Sequence, residues 1–273
     1  MKRPKKIGIV TKHLRPGIVK FAEELRDYIE PRASVYFEKE LAKKCGYKKV
    51  LDMKRPAVDI MLSLGGDGTI LAAAGALSGK KIPILGINKG YMGFLTEIEN
   101  GYECDLDNLL NGRYFVDERI KLDVFLNKKK IGTVLNDAVL FSAKPAKIQK
   151  YKIELNDMEI ETLLADGIII ATPTGSTAYG MSAGGPIVDP DLDAFEIVPV
   201  CPFRLSSRAI VVPPESVVKL STATVRDSVL VLDGYYNFKI TKKDSITVKK
   251  SKDRAYFVKF EKNFYERVKR KLV

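Results

Sequence analysis

Val58-Asp-Ile-Met-Leu-Ser-Leu64 runs directly into Gly65-Gly66-Asp67-Gly68-Thr69 and then into Ile70-Leu-Ala-Ala-Ala-Gly-Ala-Leu77. The first run alternates poorly and is mostly apolar, the pattern of a strand buried on both faces of a parallel sheet. Glycines lack a Cβ, so the turn after the strand tolerates positive φ and brings backbone N–H groups close to a ligand. Thr69 suits an N-cap for a helix over 70–77, whose positive dipole end faces a bound phosphate. A carboxylate inside an anion site is the informative exception. Asp67 repels phosphate as a passive lining residue, but serves as a proton acceptor or as a magnesium partner. The plainer alternative is a tight strand-to-helix turn with Asp67 solvated.

Other phosphate motifs fail on inspection. Gly75 to Lys81 lacks a P-loop's first glycine, because position 74 is Ala, and Lys81 stands where Ser or Thr binds magnesium. The strand over Lys6–Val10 leads into Thr-Lys-His-Leu-Arg, without the Gly-x-Gly-x-x-Gly of dinucleotide folds. Working outward, apolar runs at 6–10, 34–37, 58–64 and 83–88 alternate with helical stretches at 17–29 and 70–77. This is a doubly wound, Rossmann-like α/β domain. After Arg113 the texture becomes alternating, with turns expected at Asn127–Lys130 and Asn156–Asp157, so the second half reads as mostly antiparallel β. A helical spacing of Phe260, Phe264, Val268 and Leu272 marks a C-terminal helix returning to the first domain. The expected division is 1–105, 106–255 and 256–273.

The 273 residues carry a net charge of +12, one histidine and three cysteines. A Ser-His-Asp triad or multi-histidine metal centre would have to be built around His13 alone, so acid–base work falls to carboxylates. Cys45, Cys104 and Cys201 are widely spaced and odd in number, arguing for structural thiols and against a disulfide framework or zinc site. The lysines are dispersed without interleaved aromatics, so nucleic acid is not the expected partner. Without a signal peptide or a bilayer-length apolar run, a cytoplasmic protein with no membrane association is expected.

A second glycine-rich turn spans Thr172-Pro-Thr174-Gly175-Ser-Thr177-Ala178-Tyr179-Gly180, after the apolar run 167–171. Ser176 or Thr177 suits the cap of a short helix here. Thr174, Thr177 and Ser182 offer hydroxyls to a purine or ribose, and Tyr179 offers a stacking face. Upstream, Asn136 both donates to and accepts from an adenine edge, and Asp137 accepts ribose hydroxyls. Alone, this pair also reads as an ordinary bulge or turn.

GGDGT (65–69), GINKGYMGFLTEI (86–98), Asn136-Asp137, DGIIIATPTGSTAYGMSAGGPIV (166–188) and CPFRLSSRAIVVP (201–213) together resemble the NAD kinase family, in the family's order. GGDG alone also occurs in diacylglycerol, sphingosine and 6-phosphofructokinases; TPTGSTAY with NKGYMGFL is specific. The resemblance implies phosphorylation of the adenosine ribose 2′-hydroxyl of NAD to NADP, with Asp67 accepting the hydroxyl proton. Gly65, Gly66, Gly68 and Thr69 would hold phosphates beside Mg²⁺, whose protein ligands the sequence leaves unknown. Asn136 would read adenine and Asp137 the ribose. Thr174, Thr177, Ala178, Tyr179, Gly180, Met181 and Ser182 would complete the pocket, and Lys147 would contact phosphate or ribose. Asp166 would reach the nicotinamide end, in this family often from a neighbouring subunit, which implies a homodimer or homotetramer. The donor is ATP or inorganic polyphosphate. Where many relatives carry His, a basic residue and Asp-Gly-Gln, this chain has Phe203, Ala72 and Asp233-Gly234-Tyr235. The rival readings are a diacylglycerol-type lipid kinase and a non-catalytic NAD-binding regulator, the latter having no need of Asp67.

Overall fold

The apolar run before the first glycines is a strand at Ile60–Leu64, every residue of it buried. A computed structural model describes residues 1–90, 93–99, 101–144, 146–224 and 227–272. Tyr91 and Met92 of the NKGYMGFL segment lie outside the described residues. The chain folds as two compact units, Met1–Glu118 with Ala255–Val273, and Arg119–Arg254. The first crossing falls later than position 105 because Leu106, Leu109 and Leu110 bury into the first core.

The first unit holds β1 (Lys6–Thr11), α1 (Pro16–Ile29), β2 (Ser34–Glu38), α2 (Lys39–Lys44), β3 (Val50–Leu51), β4 (Ile60–Leu64), α3 (Asp67–Ala76), β5 (Ile84–Ile87) and α4 (Tyr102–Leu110). Its strands are parallel in the order β5-β4-β1-β2-β3, with Leu62 opposite Ile9 and Leu85. One face carries Ile7, Ile9, Val35, Phe37, Leu62 and Leu64 against Phe21 and Leu25 of α1 and Leu106 and Leu109 of α4. On the other face, a Cβ on Gly86 would sit 2.4 Å from Ile70 Cδ1, so α3 packs there directly on backbone. Helices on both faces are the doubly wound arrangement expected. Leu62→Ala in this core costs about 2–5 kcal/mol.

Two helix starts differ from expectation. Gly66, extended at φ −95° and ψ −170°, is the N-cap of α3, and Asp67 opens the helix. Thr69 is therefore inside the first turn and not the cap; an acidic residue at that end is favoured by the dipole.

The second unit comprises β6 (Phe115–Leu126, begun in the first unit), β7 (Lys129–Val134), β8 (Asp137–Ser142), β9 (Gln149–Leu155), β10 (Met158–Ala165), β11 (Gly167–Ala171), a 3-10 turn (Gly175–Thr177) and α5 (Tyr179–Ser182). It continues through β12 (Phe195–Val200), β13 (Ile210–Val212), β14 (Val217–Thr222), β15 (Ser228–Leu232), β16 (Tyr236–Ile240) and the start of β17 (Ile246–Lys259). One antiparallel sheet runs β13-β12-β11-β8-β15-β16, and a second joins β10, β9, β14 and β17. Their inner faces share one core of Leu140, Ile170, Phe195, Leu230, Tyr151, Ile153 and Val218. The expected turns form two-residue hairpins: Asn127 and Lys128 have φ 49° and 70°, Asn156 and Asp157 φ 51° and 67°. The α5 cap is Ala178, not Ser176 or Thr177, because those two lie in the preceding 3-10 turn.

After Arg254 the chain rejoins the first unit, where Phe257 of β17 pairs with Ile84 of β5. α6 (Phe264–Leu272) follows; Phe260 precedes it, so this helix is shorter than its apolar spacing suggests. Cys45 is half-buried, but Cys104 and Cys201 are exposed, so the structural role expected of the thiols fits Cys45 alone. Among the described residues no helix is long and apolar enough to cross a membrane.

Candidate active site

In the first unit, the turn between β4 and α3 borders a cavity of about 470 Å³. Gly65 has φ +150°, and a Cβ there would lie 2.3 Å from Thr69 Oγ1, so the turn closes only around glycine. Gly65, Gly66, Asp67, Gly68 and Thr69 form one wall, at the N-terminus of α3. Lys12, His13 and Arg15 from the β1–α1 connection, with Lys89, form the other. Arg15 is the N-cap of α1, so two helix N-termini and several cationic side chains border one concavity, an environment suited to phosphate.

Asp67 does not wave in solvent. Phe94 N donates to its Oδ2 at 2.7 Å and Leu95 N to its Oδ1 at 3.0 Å. Gly93 permits this approach: a Cβ there would sit 1.9 Å from Asp67 Oδ1. Two charge-assisted hydrogen bonds fix the carboxylate at the cavity wall, which the reading of Asp67 as a solvated turn residue does not accommodate.

In the second unit, Asn136 and the TPTG turn come together. Asn136 O accepts from Thr172 N at 2.9 Å, and a Cβ on Gly175 would lie 2.1 Å from that carbonyl oxygen. Among the described residues Asn136 Oδ1 is buried with no hydrogen-bond partner, leaving an acceptor open. Asp233, in the Asp-Gly turn after β15, holds the pair by accepting from Leu135 N, Asn136 N and Asp137 N at 2.9, 2.8 and 3.2 Å. The ordinary-turn reading of Asn136-Asp137 thus has a physical basis in Asp233, but leaves Asn136 Oδ1 unexplained. Thr174 Oγ1 accepts from Arg119 Nη1 at 3.4 Å, and Thr177 Oγ1 donates to Thr174 O at 3.2 Å. Ala178 is half-buried, Gly180 is buried, Met181 is half-buried, and Tyr179 and Ser182 are exposed. Lys147 lies exposed in the β8–β9 loop, and Asp166 sits half-buried between β10 and β11.

Sequence reasoning missed one buried group here. Glu196 of β12 shares with Asp137 a row across β11, through Ala171, on the sheet face away from the main core. Glu196 is fully buried, and among the described residues both its carboxylate oxygens lack a partner. Burial, and then the charge of Asp137, push its pKa up to about 7. Burial, and then Asp233, push Asp137 to about 7 as well. A glutamate inside the apolar run Phe195-Glu-Ile-Val-Pro-Val200 was the available signal.

A glycine cradle with a fixed carboxylate, and a separate polar cluster around a buried amide oxygen, are the parts of a phosphotransferase that handles nucleotides. Comparison with known proteins makes the class specific. The ATP-NAD kinase N-terminal domain model matches residues 7–114 and the C-terminal domain model residues 135–260. The NAD kinase of Methanosphaera stadtmanae is 42% identical, covering 98% of this chain and 99% of that protein. That of Methanothermobacter thermautotrophicus is 41% identical, over 98% and 96%. A solved NAD kinase from Archaeoglobus fulgidus in complex with ATP superposes with a TM-score of 0.79 at 30% identity, over 97% and 98% of the two chains. Yeast NADH kinase complexed with NADH shares the fold, with a TM-score of 0.88 over 99% of this chain and 88% of its own, at 24% identity. The chain belongs to the ATP-NAD kinase family and is an enzyme of that type. The lipid-kinase and non-catalytic readings find no support in these matches.

Proposed function

We propose that this enzyme transfers the γ-phosphoryl group of ATP to the adenosine ribose 2′-hydroxyl of NAD, with Asp67 as the base. The observation that carries the reading is the Asp67 carboxylate, held by the amides of Phe94 and Leu95 at the edge of a basic cavity. Asp67 accepts the hydroxyl proton as the ribose oxygen bonds to the γ-phosphorus, and the bond from that phosphorus to the β–γ bridging oxygen breaks, releasing ADP. Gly65, Gly66, Gly68 and Thr69 present the α3 N-terminus to the phosphates, while Lys12, His13, Arg15 and Lys89 face them.

Among the described residues no group of three or more His, Cys, Asp or Glu side chains could hold a metal by itself. Asp67, with at most the Thr69 hydroxyl, suits Mg²⁺ arriving on the donor phosphates, where it would neutralise charge. The unpartnered Asn136 Oδ1 accepts from the adenine amino group, and Asp137 takes ribose hydroxyls. Thr174, Thr177, Ala178, Tyr179, Gly180, Met181 and Ser182 surround the base, and Lys147 contacts phosphate or ribose. Asp166 completes the nicotinamide end in a homodimer or homotetramer. Exposed Phe203, Leu205, Ile210 and Val211 in the second unit support self-association, with Phe203 and Leu205 72% and 90% exposed. The enzyme works in the cytoplasm, where its unpaired cysteines stay reduced.

Incubating the purified protein with NAD, Mg²⁺ and ATP, and assaying NADP, tests the reading directly. A parallel arm with inorganic polyphosphate establishes whether the basic wall also accepts a longer anion. No NADP from either donor would overturn the proposal.

A further inference from the structure

The C-terminal helix has no task in the mechanism above, yet it is clamped to the segment that holds the base. Arg267 of α6 is buried; it donates to the Thr96 carbonyl, to Glu97 Oε2 at 2.7 Å and to Asn263 Oδ1 at 2.8 Å. Lys259 meets the same Glu97 oxygen at 2.7 Å, and Phe260 N donates to its other oxygen at 3.0 Å. Thr96 and Glu97 follow directly on Phe94 and Leu95, whose amides grip Asp67. A turn beyond Arg267, half-buried Lys271 lays its ammonium over the Phe94 ring, 3.6 Å from the centroid. A cation over an aromatic face is held in place by the ring quadrupole.

We propose that Lys271 is a positioning residue for phosphoryl transfer, acting through Phe94 to keep the Asp67 carboxylate aimed at the acceptor hydroxyl. This rests on the reading of Asp67 as the base. The electrostatics agree: burial lowers the Lys271 pKa, and Asp67 is the largest influence opposing it. Arg267 and Arg270 also act to lower it and Glu99 to raise it, while Lys12, His13, Arg15 and Lys89 share the cavity with Asp67. Lys271 differs from those four in being seated on the residue that supplies one of the two amides. Its charge is therefore coupled, through the Phe94 ring, to the geometry of the carboxylate.

The test compares K271M, which keeps the aliphatic stem over Phe94 without the charge, with K271R, which restores the charge, and with D67N. In the full-length enzyme K271M should lower kcat about tenfold with KM for NAD nearly unchanged. Its unfolding midpoint should match the wild type, and K271R should recover most of kcat. Wild-type kcat in K271M would overturn the proposal, as would a rate loss that tracks a lowered midpoint and is not recovered by K271R. Inactive D67N beside an unaffected K271M sinks the Lys271 role alone. Wild-type turnover in D67N sinks the base and the Lys271 role together.

Discussion

Asp67 in the first unit and Glu196 in the second are carboxylates held in opposite ways. In the first, Asp67 is satisfied by two backbone amides and Glu97 by Lys259, Arg267 and the amide of Phe260. In the second, Asp233 takes three amides, but Glu196 takes none and lies fully buried beside Asp137. The first arrangement fixes a carboxylate at the wall of a basic cavity. The second raises the pKa of Asp137 and Glu196 to about 7 by burial and, among the described residues, leaves acceptors such as Asn136 Oδ1 unmatched. An unmatched buried polar atom costs about 1–3 kcal/mol, which a ligand returns on binding.

Four experiments press on that contrast. D67N should cut kcat about a thousandfold, within the range for loss of a general base, while NAD binding by calorimetry and the unfolding midpoint stay near wild type. Retained turnover would erase the distinction between the units. G93A places a Cβ where Asp67 Oδ1 now lies, 1.9 Å away, so it should displace the carboxylate and lower kcat about a hundredfold with a smaller effect on KM for NAD. An unaffected G93A enzyme would show that the two amides do not set the geometry. N136A removes the unmatched acceptor of the second unit and should raise KM for NAD about tenfold, with kcat changed less. An unchanged KM would remove Asn136 from the nucleotide site.

The smallest effect concerns pH. Glu196 and Asp137 bind protons more readily in the folded chain than in the unfolded one, their folded values lying at about 7. Their contribution to stability is full below about pH 4 and is lost as pH rises through about 7. E196Q, which cannot ionise, should therefore unfold in urea at higher concentration than wild type at pH 8, by on the order of 1 kcal/mol, with the gain fading towards pH 4. A gain that is independent of pH would mean that ionisation of Glu196 is not what the substitution relieves.

What the sequence disclosed was local. The strand, glycine turn and helix at 58–77 announce themselves through apolar runs and the loss of Cβ, and the hairpins at Asn127 and Asn156 through residues tolerant of positive φ. Thr69 misled because an extended Gly66 can cap a helix without a side chain. The partners of Asp67 were hidden for a different reason: they are backbone amides, which every residue but proline possesses. Glu196 gave a faint signal as the acid in an apolar strand, but its neighbours arrive from β8 and α5. Lys12, His13, Arg15 and Lys89 looked like part of a dispersed basic surface until β1 and β5 lay on either side of β4.

The first unit is discontinuous in the chain, broken between Glu118 and Ala255. On the ribosome, Glu97 therefore emerges long before Lys259 and Arg267, the cations that pair with it, and must wait through all of residues 119–254. The loop that grips Asp67 gains its brace only after the whole second unit has been translated. A nascent chain stalled within the second unit carries the glycine motif in full, yet lacks the helix that steadies it.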